Sequence, residues 1–194
     1  KESCLKYGYF DGSTWHFDIL YSHNYLSIHS SIAIKDGINP AIAIYFDDDS
    51  TNKYYSKVKY AEKVNGVWEK YDLDELYGEP NPYFRVTICL SFDSNFNPGI
   101  VYGQSSNGPV KYLSIKDNEW VTDELDAEND SFAFTSLDYD TNDKPVISFL
   151  SNQDKKLKTA HKSDDSVWEI TEVDEQDNSP NDFGYRIDEQ NNIH

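Results

Sequence analysis

Carboxylates are the most abundant groups in this sequence that could do chemistry. The chain of 194 residues has 35 Asp and Glu residues against 17 Lys and Arg residues. A pair of carboxylates within roughly 10 Å can supply the acid and the base of glycoside hydrolysis. In so acidic a chain, however, some carboxylates will lie at that distance by accident. Their number therefore does not indicate an active site, and we predict no catalytic residue.

Two acidic stretches could supply oxygen ligands for calcium. The stretch DYDTND imitates the start of a calcium-binding loop, but its sixth position is Asp143 instead of Gly, and Phe149 stands where the loop needs a bidentate Glu. The stretch DDDS lies on a long hairpin, so Asp47 and Asp49 are the one alternative for a metal site. The five His residues lack HxH, HxxxH and HExxH spacings, and we predict no zinc site and no other cofactor.

The stretch YFDGSTWHF resembles the Asp-box turn of sialidases, S-x-D-x-G-x-x-W. The spacing from Asp11 to Trp15 is one residue shorter than that motif requires. Sialidases also hold the substrate carboxylate with three arginines, whereas this chain contains only Arg85 and Arg186. Because Lys cannot replace the bidentate geometry of Arg, these residues argue against a sialidase.

The charge and the composition limit both the partners and the fold class. A formal net charge of -18 repels phosphate backbones and anionic membranes, so we expect no nucleic-acid partner. A run of about eighteen apolar residues, which a spanning helix needs, does not occur, so we expect no membrane insertion. Aromatic residues reach 15% and suit half-buried strands, which favours an all-β fold.

Four Trp residues mark a repeat. Trp15, Trp68, Trp120 and Trp168 are separated by 53, 52 and 48 positions. Periods of this length are typical of propellers and solenoids. Each Trp begins a strand after a hairpin, so we interpret the four as framework residues that pack against a neighbouring repeat, rather than as platforms for stacking sugars.

Turn residues give a second, independent marker of the same repeat. The marker positions are Asp36, Asp93, Asp140 and Asp188, spaced by 57, 47 and 48 residues. Asp at such turns caps its own backbone and needs no function. Between two markers the pattern predicts four short strands, and four antiparallel strands per repeat make a propeller blade.

We therefore predict one β-propeller domain over residues 1–194. It comprises three complete blades and two partial blades, with these bounds: partial blade 1–22, blade 26–75, blade 83–126, blade 130–175 and partial blade 182–194. The two partial blades together lack one strand, so the chain is predicted to be a fragment of a larger propeller. The rest of the parent chain or a neighbouring subunit would complete it. A compact four-bladed ring is the alternative.

Two long connections, at residues 47–56 and 74–83, break the regular spacing. Extended loops on a repeat scaffold tend to gather on one face and carry recognition. We therefore predict a binding surface there, formed by Asp47, Asp48, Asp49, Tyr54, Tyr77 and Tyr83. The two cysteines, Cys4 and Cys89, fall in strands of separate sheets and are predicted to be buried thiols without a disulfide.

The units SIAIKDGINPAIAIYF...VKYAEKVNGVW and TSLDYDTNDKPVISFL...LKTAHKSDDSVW resemble a family of bacterial and archaeal extracellular repeats. Its consensus is approximately S-x-A-x-D-x-x-G-x-P-x-I-x-Y, then L-K-Y-A, then a hairpin with G-x-W. The resemblance covers nearly the whole chain and implies a noncatalytic β-propeller scaffold of secreted and surface proteins. Gly99 and Gly103 depart from the consensus in the third unit, as does Ile193 at the Pro position of the last.

The sequence thus predicts a noncatalytic extracellular binding or scaffold module, secreted or at the cell surface. Its ligand would be a protein or a carbohydrate. The alternative is a propeller-type glycoside hydrolase or lyase. Three inward carboxylates at the mouth of a central tunnel would favour that alternative, whereas Ser, Thr and apolar residues there would oppose it.

Overall fold

A computed structural model describes residues 3–23, 25–48, 55–77, 87–103, 108–125, 132–151, 156–164, 167–175, 187–188 and 190–192. Within these ranges the long regular elements are all β-strands, and no helix that could cross a membrane occurs among them. The strands are β1 (Ser3–Phe10), β2 (Trp15–His23), β3 (Tyr25–Lys35), β4 (Asn39–Asp48), β5 (Tyr55–Val64), β6 (Val67–Tyr77), β7 (Ile88–Phe92), β8 (Pro98–Gly103), β9 (Val110–Lys116), β10 (Glu119–Glu124), β11 (Phe132–Tyr139), β12 (Pro145–Ser151), β13 (Lys156–Asp164) and β14 (Val167–Glu175).

The strands form four antiparallel sheets in which sequence neighbours are also neighbours in space. The first sheet contains β1 and β2, the second β3 to β6, the third β7 to β10 and the fourth β11 to β14. Tight turns connect the last two strands of the second and third sheets. Asn65 and Gly66 have φ of 50° and 83°, and Asp117 and Asn118 have φ of 52° and 65°. Two positive φ values in a two-residue hairpin match the right-handed twist of the strands that it joins.

Consecutive sheets pack face to face, as blades do in a β-propeller. The first strands of the three four-stranded sheets contact one another, β3 with β7 and β7 with β11. Hydrogen bonds from backbone amides to hydroxyl groups connect these strand regions. The Leu90 amide donates to the Ser31 hydroxyl at 3.0 Å, and the Thr135 amide donates to the Thr87 hydroxyl at 2.6 Å. The fold is therefore all-β and of the propeller type, as the sequence predicts.

The core lies between the sheets, with one apolar cluster at each junction. The second strand of each complete sheet is covered on both faces, and β8 and β12 are buried along their whole length. A strand that is buried on both faces reads as a continuous apolar run. This explains why the stretches AIAIYF and PVISFL do not alternate with polar residues.

An indole contacts the preceding sheet at every junction. Ring centroids lie 5.2 Å apart for Trp68 and Tyr7, 5.3 Å for Trp120 and Tyr60, and 5.4 Å for Trp168 and Tyr112, and each pair is edge to face. That geometry suits the opposite partial charges of ring edge and ring face. Trp15, which belongs to the first sheet, differs from the other three because it is 61% exposed.

The prediction for Cys4 is wrong, because this residue is exposed. In β1, Leu5 and Tyr7 face the second sheet, so alternation turns Cys4 to the opposite face. None of the other described sheets covers that face. Cys89 is half-buried in the third sheet, and neither thiol forms a disulfide.

We expect Trp120→Ala to lower the free energy of unfolding by about 3 kcal/mol, because the variant removes the contact with Tyr60 and leaves a cavity at the junction. The control is Ile38→Ala, at a turn position that is 81% exposed, where the change should stay within about 0.5 kcal/mol. Denaturant unfolding of both variants measures the difference. Equal losses in the two variants would contradict a role of the indole in joining the sheets.

Candidate functional site

The turn after the first strand of each repeat is built around its Asp. The Asp93 carboxylate accepts from the backbone amides of Asn95 and Asn97 at 2.9 and 2.8 Å. Equivalent bonds occur at the other three markers, Asp36, Asp140 and Asp188. These hydrogen bonds explain the Asp at each position by the needs of the turn alone.

Each of the last two turns also hydrogen-bonds to the turn before it. The amide and hydroxyl of Ser94 donate to the Asp143 carboxylate at 2.8 and 2.6 Å. One repeat later, the Thr141 amide donates to the Asn191 side chain at 2.9 Å, and that side chain donates back to the Thr141 hydroxyl. Hydrogen bonds from Ser94 lower the pKa of Asp143. We call this repeated contact the turn clasp.

A cleft opens beside the turn clasp, between the third and fourth sheets. Its volume is about 560 Å³, and we call it the 3–4 cleft. The lining combines apolar side chains with carboxylates, ammonium groups, hydroxyls and an amide. The residues include Asp93, Asn97, Pro98, Tyr112, Ser114, Ile115, Lys116, Val121, Asp123, Tyr139, Asp143, Lys144, Pro145 and Lys162.

The charges that line the 3–4 cleft are balanced. Three carboxylates (Asp93, Asp123, Asp143) face three ammonium groups (Lys116, Lys144, Lys162), in a chain whose net charge is -18. Lys162 of the fourth sheet reaches Asp123 of the third at 2.6 Å. The ion pair crosses the junction and holds the wall of the cleft. A locally neutral cleft on an acidic protein does not select for cations.

Two tyrosines that line the 3–4 cleft form a hydrogen-bonded pair. The hydroxyl oxygens of Tyr112 and Tyr139 lie 3.0 Å apart. Burial raises the pKa of Tyr112 to about 12, and burial together with Tyr112 raises that of Tyr139 further. Both hydroxyls therefore stay protonated at neutral pH. One proton serves the bond between them, and Tyr112 also hydrogen-bonds to the Ser114 side chain.

Gly99 makes room for this pair. A Cβ at residue 99 would lie 2.1 Å from the Tyr139 hydroxyl oxygen and 3.1 Å from that of Tyr112. The departure of Gly99 from the repeat consensus thus has a steric reason.

A second cleft occupies the equivalent place one repeat later. We call it the 4–5 cleft; its volume is about 330 Å³, and its lining residues are Asp140, Val146, Thr159, His161, Ile187 and Asn191. Each lies 47 or 48 positions after a residue that lines or adjoins the 3–4 cleft, in the order Asp93, Gly99, Tyr112, Ser114, Tyr139 and Asp143. The position of the cleft is repeated while its side chains change.

Asp140 of the 4–5 cleft is held in its ionised form. Partial burial raises its pKa, but amide hydrogen bonds from Lys144 and Asn142, together with the His161 ring, lower it to a greater extent. The His161 ring nitrogen lies 3.4 Å from the Asp140 carboxylate. A carboxylate acceptor thus lies beside an imidazole at the place that Ser114 has in the 3–4 cleft.

The predicted loop surface is only partly covered by the described residues. The backbones of Asp47 and Asp48 belong to β4 and pair with Ser56 and Tyr55 of β5, and Tyr77 pairs with Tyr55 at the end of β6. The paired strands therefore extend further into the long hairpin than the sequence suggests. Asp49, Tyr54 and Tyr83 lie outside the described residues, so the loop surface stays a prediction.

The sequence analysis missed the turn clasp and the clefts. In the turn clasp, Ser94 and Thr141 are one position after a turn Asp, and Asp143 and Asn191 are three positions after one, which is a recognisable signal once the repeats are aligned. As for metals, the described part of the chain contains no group of three or more His, Cys, Asp or Glu side chains that could hold an ion. Asp49, half of the predicted calcium pair, lies outside that part.

No family model matches the chain, and no curated protein matches it either. Among solved structures, the chain is similar to a triple mutant of AofleA from Arthrobotrys oligospora, with 14% identity and a TM-score of 0.52. That match covers 88% of this chain and 50% of AofleA. At this identity the likeness concerns the fold alone, and this chain spans half the length of AofleA.

Two further structures show weaker likeness. A fucose lectin from Kordia zhangzhouensis in complex with methyl-fucoside has 17% identity and a TM-score of 0.45, over 73% of this chain and 96% of the lectin. A mutant of the NanB sialidase from Streptococcus pneumoniae has 14% identity and a TM-score of 0.46, over 78% of this chain and 24% of the sialidase. The particular repeat family suggested by the sequence stays a prediction.

We expect Asp143→Ala to lower the melting temperature more than Asp143→Asn, because Asn can keep the turn clasp as Asn191 does one repeat later. The pKa of Asp143 is lower in the folded than in the unfolded state, so its contribution is present above the unfolded value of about 4. It is lost as the pH falls through the lowered folded pKa. The difference in melting temperature between the wild type and Asp143→Ala should therefore shrink in acid. The difference between Asp143→Asn and Asp143→Ala should not, because Asn does not titrate. Thermal melts from pH 7 down to about pH 3 test this, and a wild-type advantage that does not change with pH would contradict it.

We expect Gly99→Ala to lower the free energy of unfolding by about 1–3 kcal/mol, because the new methyl group meets the Tyr139 hydroxyl. The loss should be smaller in a Tyr139→Phe background, where the nearest atom is gone. Denaturant unfolding of the two single variants and the double variant measures this coupling. If the losses caused by Gly99→Ala and Tyr139→Phe simply added, the prediction would be wrong. The Tyr139 side chain would then be able to move away from the new methyl group.

Proposed function

We propose that this protein is a noncatalytic binding module, and that the 3–4 cleft binds a neutral carbohydrate. The observation that carries the proposal is the recurrence of a concave cleft between the third and fourth sheets and again one repeat later, on repeat-equivalent residues. A repeated cleft with variable side chains is typical of a scaffold that presents several related binding sites.

The lining of the 3–4 cleft fits the chemistry of a sugar. A hexose combines an apolar C–H face with hydroxyls that both donate and accept hydrogen bonds. Pro98, Pro145 and Ile115 offer apolar surface, while the Tyr112 and Tyr139 pair offers a neutral O–H. A few convergent polar groups in a mostly preformed concave site are the usual arrangement for a small ligand.

The charges favour an uncharged ligand over a charged one. Three Asp and three Lys side chains balance within the cleft, so neither a free cation nor a free anion gains from the lining as a whole. The overall charge of -18 adds repulsion for anionic sugars at longer range. Neutral glycans are therefore the ligand class that the cleft suits best.

A weak site of this kind gains from repetition. Single cleft-sugar contacts would be of millimolar strength, and two clefts on one chain would raise the affinity for a branched or surface-bound glycan by effective concentration. A secreted or cell-surface location, where such glycans occur, remains part of the proposal, as does the predicted loop surface that includes Asp47, Tyr54 and Tyr77.

The test is a titration of methyl-labelled protein with methyl glycosides of neutral hexoses at millimolar concentration, followed by NMR. Resonances of Ile115 in the cleft should shift, while those of Ile38, on an exposed turn elsewhere, should not. Ser114→Trp, which fills the cleft, should abolish the shift, whereas Ile38→Trp should leave it unchanged. No shift with any hexose, or a larger shift with a lysine-rich peptide, would refute the carbohydrate proposal.

A further inference from the structure

The first sheet exposes an apolar face around Trp15, whose equivalents in the other three sheets are half-buried Trp residues. Trp15, Phe17 and Ile19 lie on one side of β2 and are 61%, 64% and 61% exposed. The Trp15 ring lies 5.7 Å from Phe10 and 6.3 Å from Phe17. We call these four residues the Trp15 face. Contiguous exposed apolar patches of this kind mark interaction surfaces in monomeric chains.

The internal repeats show what such a face contacts. Trp68, Trp120 and Trp168 occupy the position of Trp15 in the following sheets, and each packs edge to face on a residue of the preceding sheet. Two residues after Trp68, Lys70 hydrogen-bonds the Leu20 carbonyl of the first sheet. The partner of the Trp15 face is therefore the exposed face of a sheet that would precede the first.

Among the described residues, the fourth sheet exposes a face of β13 and β14 on the side away from the third sheet. Thr159 lies in β13 at the position that Tyr7, Tyr60 and Tyr112 have in the earlier sheets. It pairs with Thr171 of β14, which is exposed, and Val167 and Val173 on the same side of β14 are 58% and 56% exposed. Thr in place of Tyr leaves more room for an incoming indole.

The side chains of the two faces are also compatible at the position where other junctions have an ion pair. At two internal junctions, Asp18 pairs with Lys63 at 2.7 Å, and Asp123 pairs with Lys162 at 2.6 Å. At the junction between them, the equivalent residues are Tyr71 and Ile115, both uncharged.

The end faces follow that uncharged pattern, because Thr171 takes the place of the Asp and Phe10 that of the Lys. Packing the first sheet on the fourth would bury no unpaired charge at this position.

We propose that the Trp15 face of one copy packs head to tail on the β13–β14 face of a second copy, with the indole over Thr159. A head-to-tail contact closes into a ring when the rotation between copies allows it. One chain spans half the length of AofleA, whose fold it resembles, so two copies supply a comparable amount of structure.

The first experiment measures mass against concentration by light scattering and sedimentation. We expect the wild type and Ile38→Ser to associate alike. Trp15→Glu, at an exposed position that should not affect folding, should weaken the association by at least about tenfold. Matching melting temperatures for dilute samples check that both variants are folded. A wild type that is monomeric up to the highest soluble concentration, or a Trp15→Glu variant that associates as the wild type does, would overturn the proposal.

The second experiment tests the direction of the contact by disulfide cross-linking, in a background with Cys4→Ser and Cys89→Ser. Trp15→Cys and Thr159→Cys are made as separate proteins. We expect cross-linked dimers only after the two are mixed and oxidised. Cross-linking of Trp15→Cys with itself would show face-to-face association of the apolar patches. Cross-linking within a single chain that carries both changes would show closure of one chain on itself. Either result would overturn the head-to-tail proposal.

Discussion

The contact on which the structure depends is the indole of one sheet packed edge-on against a tyrosine of the sheet before it. It recurs at each of the three junctions with ring centroids 5.2–5.4 Å apart. A four-stranded sheet cannot bury both of its faces alone, so each sheet is stable only when its neighbours cover it. The Trp and the apolar second strand supply that cover, and the cores accordingly lie between sheets instead of inside them.

The same stacking creates the candidate binding sites. Where two repeats meet, a cleft remains between the last strands of one sheet and the turn of the next repeat. Turn clasps fix the width of these clefts, because Ser94 and Thr141 each bind the following turn. The same repeats therefore form both the framework and the clefts: the indoles pack the sheets together, and the turns determine the width of each cleft. Variation of a few side chains then changes what a cleft can bind without changing the stack.

The first and fourth described sheets have different outer faces. The first sheet exposes the Trp15 face, and the fourth exposes the β13–β14 face with Thr159 and Thr171. In the proposed contact, these two faces would meet as the faces of neighbouring sheets do. Association between copies would use a surface that already exists inside the molecule, and it would place the clefts of both copies in one assembly. Avidity for a repeated ligand would follow from that arrangement.

The sequence by itself determined the repeat, the order of the strands and the all-β class, because these depend on short-range patterns. The Trp period, the turn Asp and the Asn-Gly hairpin act within a few residues of where they stand. Only the tertiary structure decided which side chains share a cleft, since Tyr112 and Tyr139 are separated by a whole sheet connection and meet only when two sheets stack. It also decided that Cys4 and Trp15 are exposed. Trp15 shares its local pattern with the half-buried Trp68, Trp120 and Trp168, and its burial depends on whether a neighbouring sheet covers it, which no local pattern encodes.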